Sequence, residues 1–531
     1  MKYTNKINIK SMCVISLAFM SGNLRVHSEN RRPNILFALA DDATWKHFGA
    51  YGCTWVNTPA FDRVAQNGIL FNNAYTANAK SAPSRACILT GRNSWQLEEA
   101  ANHDCYFPSK FKTYAEALSE NGYFVGSTGK GWAPGDPGKI DGILRELAGH
   151  SYNEYRTAPP TNGISNVDYA KNFDAFLAAR TKGKPFCFWY GSHEPHRNYE
   201  FKSGINKGGR KISDITEVPA FWPDVDSVRV DMLDYAYEVE YFDKQLQKML
   251  QKLDEIGELD NTIVIVTSDN GMPFPRIKGQ EYEYSNHLPL AIMWPNGLKN
   301  PGRVVDDFIS FIDFTPTFLE LAGVPIDKTG MQPITGKSFT DILYSNKSGT
   351  INKERNSVLI GKERHDVGRP NDEGYPIRGI VEGDFIYIHN YKTERWPSGN
   401  PEVGYLNCDT SPTKSYILNI RRTTGDLKFW QLSFGKRGSE ELYNKKTDPF
   451  CLVNLANDSK YAKLKNKMEQ EMTKRLIEQK DPRMFGNGDI FDNYKYANPL
   501  MYNYYNRVMD GQIPANKMRQ KEDVDADLKE K

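Results

Sequence analysis

The sequence predicts an α/β protein with a mostly parallel central sheet flanked by helices, followed by a smaller C-terminal α+β domain that contains an antiparallel sheet. From Pro33 onward, short and continuously apolar runs alternate with longer amphipathic stretches, which is typical of strands buried on both faces. After Leu343 a polar linker leads into shorter strand-like runs. We therefore place one domain at residues 33–345, a second at 346–480 and a C-terminal extension at 481–531.

Four apolar runs, each followed at once by polar residues, are predicted to be strands of the central sheet. They span residues 34–40, 122–127, 185–190 and 262–266. The polar residues that follow them include Asp41 and Asp42, Lys130, His193 and His196, and Asp269 and Asn270. Ligands in open α/β sheets bind beyond the carboxyl ends of the strands, so these polar clusters are expected to converge.

The other predicted elements rest on periodicity. Residues 235–256 and 314–322 have the pattern of amphipathic helices. In the second domain, residues 385–388 are predicted to be a strand and 460–478 a helix. The final stretch, rich in Tyr and Asn, is predicted to wrap over the protein and to finish in a solvated charged end.

The first 28 residues have the features of a secretory signal peptide. Lys2, Lys6 and Lys10 precede an apolar run at 11–22 that is too short to span a bilayer, and Ser28 suits cleavage. A buried N-terminal helix is the alternative. We expect export across the inner membrane to the periplasm, without a stable membrane anchor.

The composition is that of an ordinary globular protein, with 39% hydrophobic and 25% charged residues. The 68 basic and 66 acidic residues nearly balance, so no nucleic-acid partner is expected. Loss of the four basic residues of the signal peptide would change the net charge from +2 to −2. The cysteines after the signal peptide show no short paired spacing that would suggest zinc or a disulfide framework.

Two strand-end pairs, Asp41 with Asp42 and Asp269 with Asn270, offer three carboxylates and one amide oxygen. Such oxygen ligands suit Ca²⁺ or Mg²⁺ better than zinc. Turn and helix-cap chemistry would explain either pair alone. Two pairs in matching positions favour a metal site.

Residues 81–92 read S-A-P-S-R-A-C-I-L-T-G-R. Pro83 is predicted to interrupt the chain and Ser84 to cap a helix, which places Ser81 just before a helix N-terminus where an anion is stabilised. Taken alone, this segment indicates only a capped helix.

That segment resembles the signature of the type I sulfatases, C/S-x-P-S-R followed by x-x-x-L-T-G-R. The strand-end pairs, Lys130 and the His-x-Pro-His segment also occur in the order of that family. The resemblance implies the alkaline-phosphatase-like sulfatase fold, with residues 33–345 as the catalytic domain. It further implies that Ser81 is converted to formylglycine (3-oxoalanine). Because a serine stands there, an anaerobic sulfatase-maturing enzyme is an expected partner during biogenesis.

The resemblance also implies roles for individual residues. The implied ligands of Ca²⁺, with Mg²⁺ as the other candidate, are Asp41, Asp42, Asp269, Asn270 and the formylglycine at position 81. Arg85 would hold the formylglycine hydrate. Lys130 and Lys278 would hold the sulfate oxygens, and His196 would protonate the leaving group.

One position departs from the family pattern. Sulfatases usually carry Lys-x-His after the strand, but Trp132 stands where the histidine is expected. The resemblance implies that this histidine helps to polarise or deprotonate the formylglycine hydrate. His103 is a candidate to take over that role or to bind substrate, with an ordinary loop histidine as the alternative. Trp132 is expected either to form a wall against which a sugar stacks or to pack internally.

Within the family, the sequence is most similar to the N-sulfoglucosamine sulfohydrolases. The resemblance lies in residues 195–197, 218–224, 268–275 and 375–378. It implies removal of sulfate from sulfated glucosamine of heparin or heparan sulfate oligosaccharides. Candidate substrate contacts are His103, His287, His365 and Arg378.

Three alternatives remain open. The first is an O-sulfatase acting on 6-O-sulfated N-acetylglucosamine or another sulfated glycan. The second is a related phosphatase or phosphodiesterase, a class that usually has two zinc ions and more histidine ligands at the strand ends. The third is a non-catalytic protein that binds sulfated glycans.

Overall fold

The computed structural model describes Met1, residues 32–518, residues 520–525 and Leu528. Apart from Met1, the predicted signal peptide therefore lies outside the described residues. In the described part of the chain, no helix combines the length and apolar character needed to cross a membrane.

The described strands, in chain order, are β1 (Asn34–Ala40), β2 (Ile69–Tyr75), β3 (Cys105–Tyr106), β4 (Phe124–Gly129), β5 (Gly135–Asp136), β6 (Lys139–Ile140), β7 (Ile143–Leu144), β8 (His150–Ser151), β9 (Phe186–Gly191), β10 (Thr262–Ser268), β11 (Leu290–Met293), β12 (Arg303–Ser310), β13 (Ser357–Lys362), β14 (Ile377–Glu382), β15 (Phe385–Asn390) and β16 (Glu440–Asn444).

The described α-helices are α1 (Pro59–Gln66), α2 (Ser81–Thr90), α3 (Tyr114–Glu120), α4 (Tyr169–Ala179), α5 (Ser203–Asn206), α6 (Asp226–Glu255), α7 (Glu283–Asn286), α8 (Phe314–Leu321), α9 (Thr340–Tyr344), α10 (Pro412–Thr424), α11 (Lys428–Ser433), α12 (Ala462–Glu478), α13 (Ile490–Asn493) and α14 (Tyr504–Met509). The helix predicted at 235–256 thus begins nine residues earlier, at Asp226, where an acidic side chain in the first turn favours the helix dipole.

Eight strands form the central sheet, in the order β12-β2-β11-β10-β1-β9-β4-β8. Only the pairings of β11, with β10 and with β2, are antiparallel. The remaining neighbours pair in parallel. The prediction of a mostly parallel sheet is therefore confirmed.

Both faces of the central sheet are buried. Leu36 and Ala38 of β1 enter one hydrophobic core, which α1, α4 and α6 also line. The alternate residues Ile35 and Phe37 enter a second core, lined by α2, α3 and α8. This burial explains why the strands are continuously apolar in sequence, since neither face meets water.

The strands β13 to β16 form a separate four-stranded antiparallel sheet, as predicted for the C-terminal region. Helix α12 packs on one face of this sheet through Met468, Met472 and Leu476. The proposed domain boundary near residue 346 lies between β12 and β13 and stays a prediction.

The predicted solvated end is wrong for Asp523 and Asp525, whereas Lys521 and Glu522 are exposed. Asp523 and Asp525 are almost completely buried. Asp523 forms an ion pair with the buried Lys414 at 3.3 Å, and Asp525 pairs with Arg421 at 3.0 Å. Burial of these carboxylates is tolerated because each one meets a cation and a further hydrogen-bond donor.

Candidate active site

The strand ends bring four predicted site residues together. In the register of the sheet, Ala40 at the end of β1 lies opposite Ser268 at the end of β10. Asp41 and Asp42 therefore leave the sheet beside Asp269 and Asn270. The backbone continues the pairing for one residue, since the amide of Asp269 donates to the carbonyl of Ala40 at 3.1 Å.

Ser81 lies at the first position of α2, which runs to Thr90. Its hydroxyl donates to Oδ1 of Asp41 at 3.1 Å. The prediction that Ser84 caps this helix is wrong, because Lys80 occupies the capping position. Pro83 fits inside the first turn, where a missing amide hydrogen costs nothing. Ser84 instead donates to the backbone carbonyl of Asp269 at 2.6 Å and so ties the helix to the strand end.

One carboxylate oxygen from each of Asp41, Asp42 and Asp269 lies within 4.8 Å of the other two, and all three residues are buried. The amide nitrogen of Asn270 donates to Oδ1 of Asp42 at 2.7 Å. Its Oδ1 is buried and has no hydrogen-bond partner among the described residues. A buried acceptor without a donor, beside three carboxylates, fits a hard divalent cation such as Ca²⁺ or Mg²⁺.

Three cationic side chains surround these carboxylates. Arg85 donates from Nε to Oδ2 of Asp269 at 2.9 Å. The ammonium of Lys130 lies 2.7 Å from Oδ2 of Asp41, and that of Lys278 lies 2.7 Å from Oδ2 of Asp42. Three negative charges are thus matched by three positive charges.

The pKa shifts in the cluster follow from burial and these charges. Burial raises the pKa of Asp41, but Lys130 and Arg85 outweigh it and hold that pKa well below its usual range. Burial raises the pKa of Asp269, and the neighbouring Asp41 carboxylate adds to the rise. Burial lowers the pKa of Lys278, yet carboxylates beside it raise that pKa above its usual value, so the lysine stays charged.

His196 lies at the edge of the cluster with 38% of its side chain exposed. Its Nδ1 lies 2.6 Å from the backbone carbonyl of Arg197, which fixes Nδ1 as the protonated nitrogen. Its Nε2 then faces the site, 3.9 Å from Oδ2 of Asp42.

Two residues near the cluster have no role in the sequence-based prediction. His193 stands in the predicted His-x-Pro-His segment and is exposed, but the protein packed around its ring lowers its pKa, with Asp41 opposing and Lys130 adding to the shift. Asp409 lies in the loop before α10, with Oδ2 3.1 Å from the ammonium of Lys278. A ligand atom of Asp409 also lies within 4.8 Å of Asp42 and His196. No strand-end pattern in the sequence marks Asp409.

Trp132 packs internally, which was one of its two predicted alternatives. Its Nε1 donates to the carbonyl of Ala82 at 2.9 Å, and its ring meets Phe107 edge to face. Only 8% of the residue is exposed. It therefore supports the first turn of α2 and does not form a wall for a sugar.

Two of the four candidate substrate contacts lie near the start of α2. Nδ1 of His103 lies 2.9 Å from Asp366, which also pairs with Lys80. His365 is buried, with Nε2 2.7 Å from Oδ1 of Asn78.

The other two candidates are enclosed by protein, which corrects the prediction that they contact substrate. His287 stacks between Trp45 and Tyr75. Arg378 is fully buried and pairs with Glu363 and Asp481 at 2.6 and 2.7 Å. Both side chains are almost completely buried, so neither can reach a substrate.

Two family models match the chain. The model described as Sulfatase matches residues 33–324, more than half of the sequence. The model described as N-sulphoglucosamine sulphohydrolase, C-terminal, matches residues 278–394.

Individual proteins agree with the family match. The human N-sulphoglucosamine sulphohydrolase is 28% identical over 486 residues, which cover 85% of this chain and 91% of the relative. An N-acetylglucosamine-6-O-sulfatase from Bacteroides thetaiotaomicron is 26% identical over 545 residues, covering 86% and 88%.

A solved structure, that of BT4656 in complex with its substrate D-glucosamine-2-N,6-O-disulfate, shares the fold with a TM-score of 0.60. It is 23% identical and covers 85% of this chain and 98% of its own. The expected alkaline-phosphatase-like sulfatase fold is thereby confirmed. The chain belongs to the sulfatase family and is a sulfatase.

Proposed function

We propose that this sulfatase removes sulfate from sulfated glucosamine of heparin or heparan sulfate oligosaccharides, as an N-sulfoglucosamine sulfohydrolase. The observation that carries the reaction is the position of Ser81, whose hydroxyl donates to Asp41 of the carboxylate cluster. The substrate class is supported by the match of residues 278–394 to the C-terminal model of N-sulphoglucosamine sulphohydrolase. Export to the periplasm remains part of this proposal.

In this proposal Asp41, Asp42, Asp269, Asn270 and residue 81 hold a divalent metal, with Ca²⁺ favoured. The metal would supply positive charge where negative charge develops on the sulfuryl oxygens. Ser81, after conversion to formylglycine, would supply the hydroxyl that attacks sulfur.

Lys130 and Lys278 bind and orient the sulfate group. Each ammonium is held by one carboxylate of the cluster, Lys130 by Asp41 and Lys278 by Asp42. The two side chains are therefore preorganised, so their attraction for the transferring group costs little rearrangement. With Asp409 included, four carboxylates face three cationic side chains, so a divalent cation would leave one net positive charge, which favours an anionic substrate.

His196 holds a proton for the leaving atom. The carbonyl of Arg197 fixes the ring orientation through Nδ1, so that Nε2 points into the site. A protonated Nε2 can then protonate the departing nitrogen or oxygen, which is a poor leaving group without a proton.

Because Trp132 stands where the family pattern has a histidine, another residue must take the role of that histidine. There are two candidates. His103 was the candidate from sequence, and the structure pairs it with Asp366 beside Lys80. His193 follows the end of β9, which pairs with β1 up to Leu39 and with β4 up to Gly129, so it leaves the sheet beside Asp41 and Lys130. We favour His193 because of this position and because its side chain is exposed.

The proposal is tested by co-expression with an anaerobic sulfatase-maturing enzyme and mass spectrometry of the peptide that contains Ser81. Conversion to formylglycine is expected to remove two hydrogens. Sulfate release is then measured on N-sulfated and on 6-O-sulfated glucosamine, with Ser81→Ala as the inactive control. Release from O-sulfated sugars alone would contradict the N-sulfatase assignment and leave the sulfatase assignment intact.

A 6-O-sulfatase is the second candidate, supported by the 26% identical N-acetylglucosamine-6-O-sulfatase. The same assay separates the two. An unconverted Ser81 together with retained glycan binding would instead favour the non-catalytic alternative.

A further inference from the structure

A cavity of about 440 Å³ opens beside the carboxylate cluster. Three separate parts of the chain line it. The residues that matter are His196 and Asn198 after β9, Asp409 and Thr410 before α10, and Lys517 and Gln520 near the end of the chain. Because His196 belongs to both the cavity and the catalytic cluster, the cavity is the natural place for the sugar that carries the sulfate.

The third part, residues 510–518 and 520–525, is called the C-terminal strap. Ile513 and Met518 of the strap pack against a small hydrophobic cluster built around Val367, Val403 and Leu406. Farther along, Asp523 accepts a hydrogen bond from Thr410 at 2.5 Å and pairs with Lys414. The strap is thus anchored on both sides of the residues that reach the cavity.

The anchor also acts on the cavity wall. Thr410 lines the cavity and is held by Asp523, and it directly follows Asp409. The strap therefore positions the loop that carries Asp409 as well as its own cavity residues.

Lys517 is a lining residue of the cavity whose charge is not neutralised by a protein partner in the part of the chain that the structure describes. Its side chain is exposed and makes no hydrogen bond or ion pair among the described residues. The guanidinium of Arg197, another lining residue, is instead committed to Asp231 at 2.8 Å. An exposed ammonium that lines a cavity and has no protein partner attracts an anion that enters with the substrate.

We propose that the C-terminal strap completes the substrate pocket and that Lys517 binds a second anionic group of the substrate. This inference rests on the proposed function, since it takes the sulfated group to the carboxylate cluster. The second group is a sulfate on the same sugar or a uronate carboxylate on the neighbouring sugar. Lys517 is therefore a residue that determines specificity, and it takes no part in sulfur chemistry.

The test measures binding, so that it does not depend on turnover. Calorimetric titrations use the Ser81→Ala protein with Ca²⁺ and three probes: N-sulfoglucosamine, N,6-O-disulfated glucosamine and an N-sulfoglucosamine–uronate disaccharide. Lys517→Ala in this background is expected to weaken binding of at least one of the two doubly anionic probes about fivefold, the scale of an exposed ion pair. Binding of N-sulfoglucosamine should stay unchanged.

Lys521→Ala is the matched control, an exposed lysine of the same strap that does not line the cavity. It should change none of the three affinities. The probe that responds to Lys517→Ala identifies whether the second group is a sulfate or a carboxylate, and the response should shrink at high salt. Equal effects on all three probes, or no effect on any, would overturn the inference. Absence of sulfate release by the wild-type protein would contradict the proposed function alone.

Discussion

The strand-end site and the C-terminal strap are assembled in different ways. The acidic residues of the site come directly after two paired strands, β1 and β10. The strap is held by partners that are far away in sequence. Asp523 meets Thr410 and Asp525 meets Tyr405, over separations of 113 and 120 residues. Each part of the site is therefore a short sequence segment at a strand end, and the regular sheet brings these segments together. The cavity beside the site is lined by irregular segments, including the C-terminal strap. Such segments are free to differ between sulfatases that share the same chemistry.

The largest effect on activity is expected in the strand-end site, at Asp269. Asp269→Ala is expected to abolish activity, by more than about a thousandfold, because one carboxylate of the proposed metal site and the partner of Arg85 are lost. Metal content and sulfate release are measured together. Asp260→Ala, an exposed residue just before the same strand, is the control and should retain both properties. Turnover with metal retained in the Asp269 variant would contradict the ligand assignment.

His196 lies where the two regions meet. His196→Gln is expected to lower kcat about a hundredfold on a sulfated sugar, since the leaving atom then departs without a positioned proton donor. On an aryl sulfate with a good leaving group, the loss should be much smaller. Equal losses on both substrates would assign His196 to binding and not to proton transfer.

The two histidines proposed to replace the usual Lys-x-His residue provide a finer test of the strand-end site. His193→Ala is expected to lower kcat about tenfold, below the range of a direct proton donor. His103→Ala should change kcat less, because its ring is held by Asp366 beside Lys80. Steady-state kinetics of both variants on one substrate distinguish the two histidines. A larger loss of kcat in the His103 variant would assign the role of the family histidine to His103.

The smallest effect is expected at the anchor of the strap. Asp523→Asn should lower the free energy of unfolding by about 1–3 kcal/mol, since a buried charged hydrogen bond is lost. Lys414 keeps its bonds to the carbonyls of Gly404 and Cys408, so the fold should survive. KM should rise with kcat unchanged. Chemical denaturation and kinetics are compared with Asp510→Asn, an exposed residue of the strap. A fall in kcat with KM unchanged would contradict a role at the cavity.

Sequence reasoning reached the parts of the molecule that obey short-range rules. The apolar run 34–40 matches β1, and Asp41 and Asp269 could be placed together because parallel strands end at one edge. Asp409 was missed because its loop carries no periodic pattern. Asp523 was expected to be solvated because its partner Lys414 is distant in the chain, and a charged tail without a visible partner is normally exposed.

The burial of Ser81 bears on whether its conversion comes before or after folding of the chain. Ser81 is 1% exposed, and every residue of its helix is buried. A maturing enzyme must enclose the side chain it oxidises, and it could do so here only by pulling α2 out of the core. Conversion of Ser81, as proposed above, would therefore have to come before folding. Under that proposal, a chain that folded first would be trapped with an unconverted serine, so the yield of active protein would depend on a race between modification and folding.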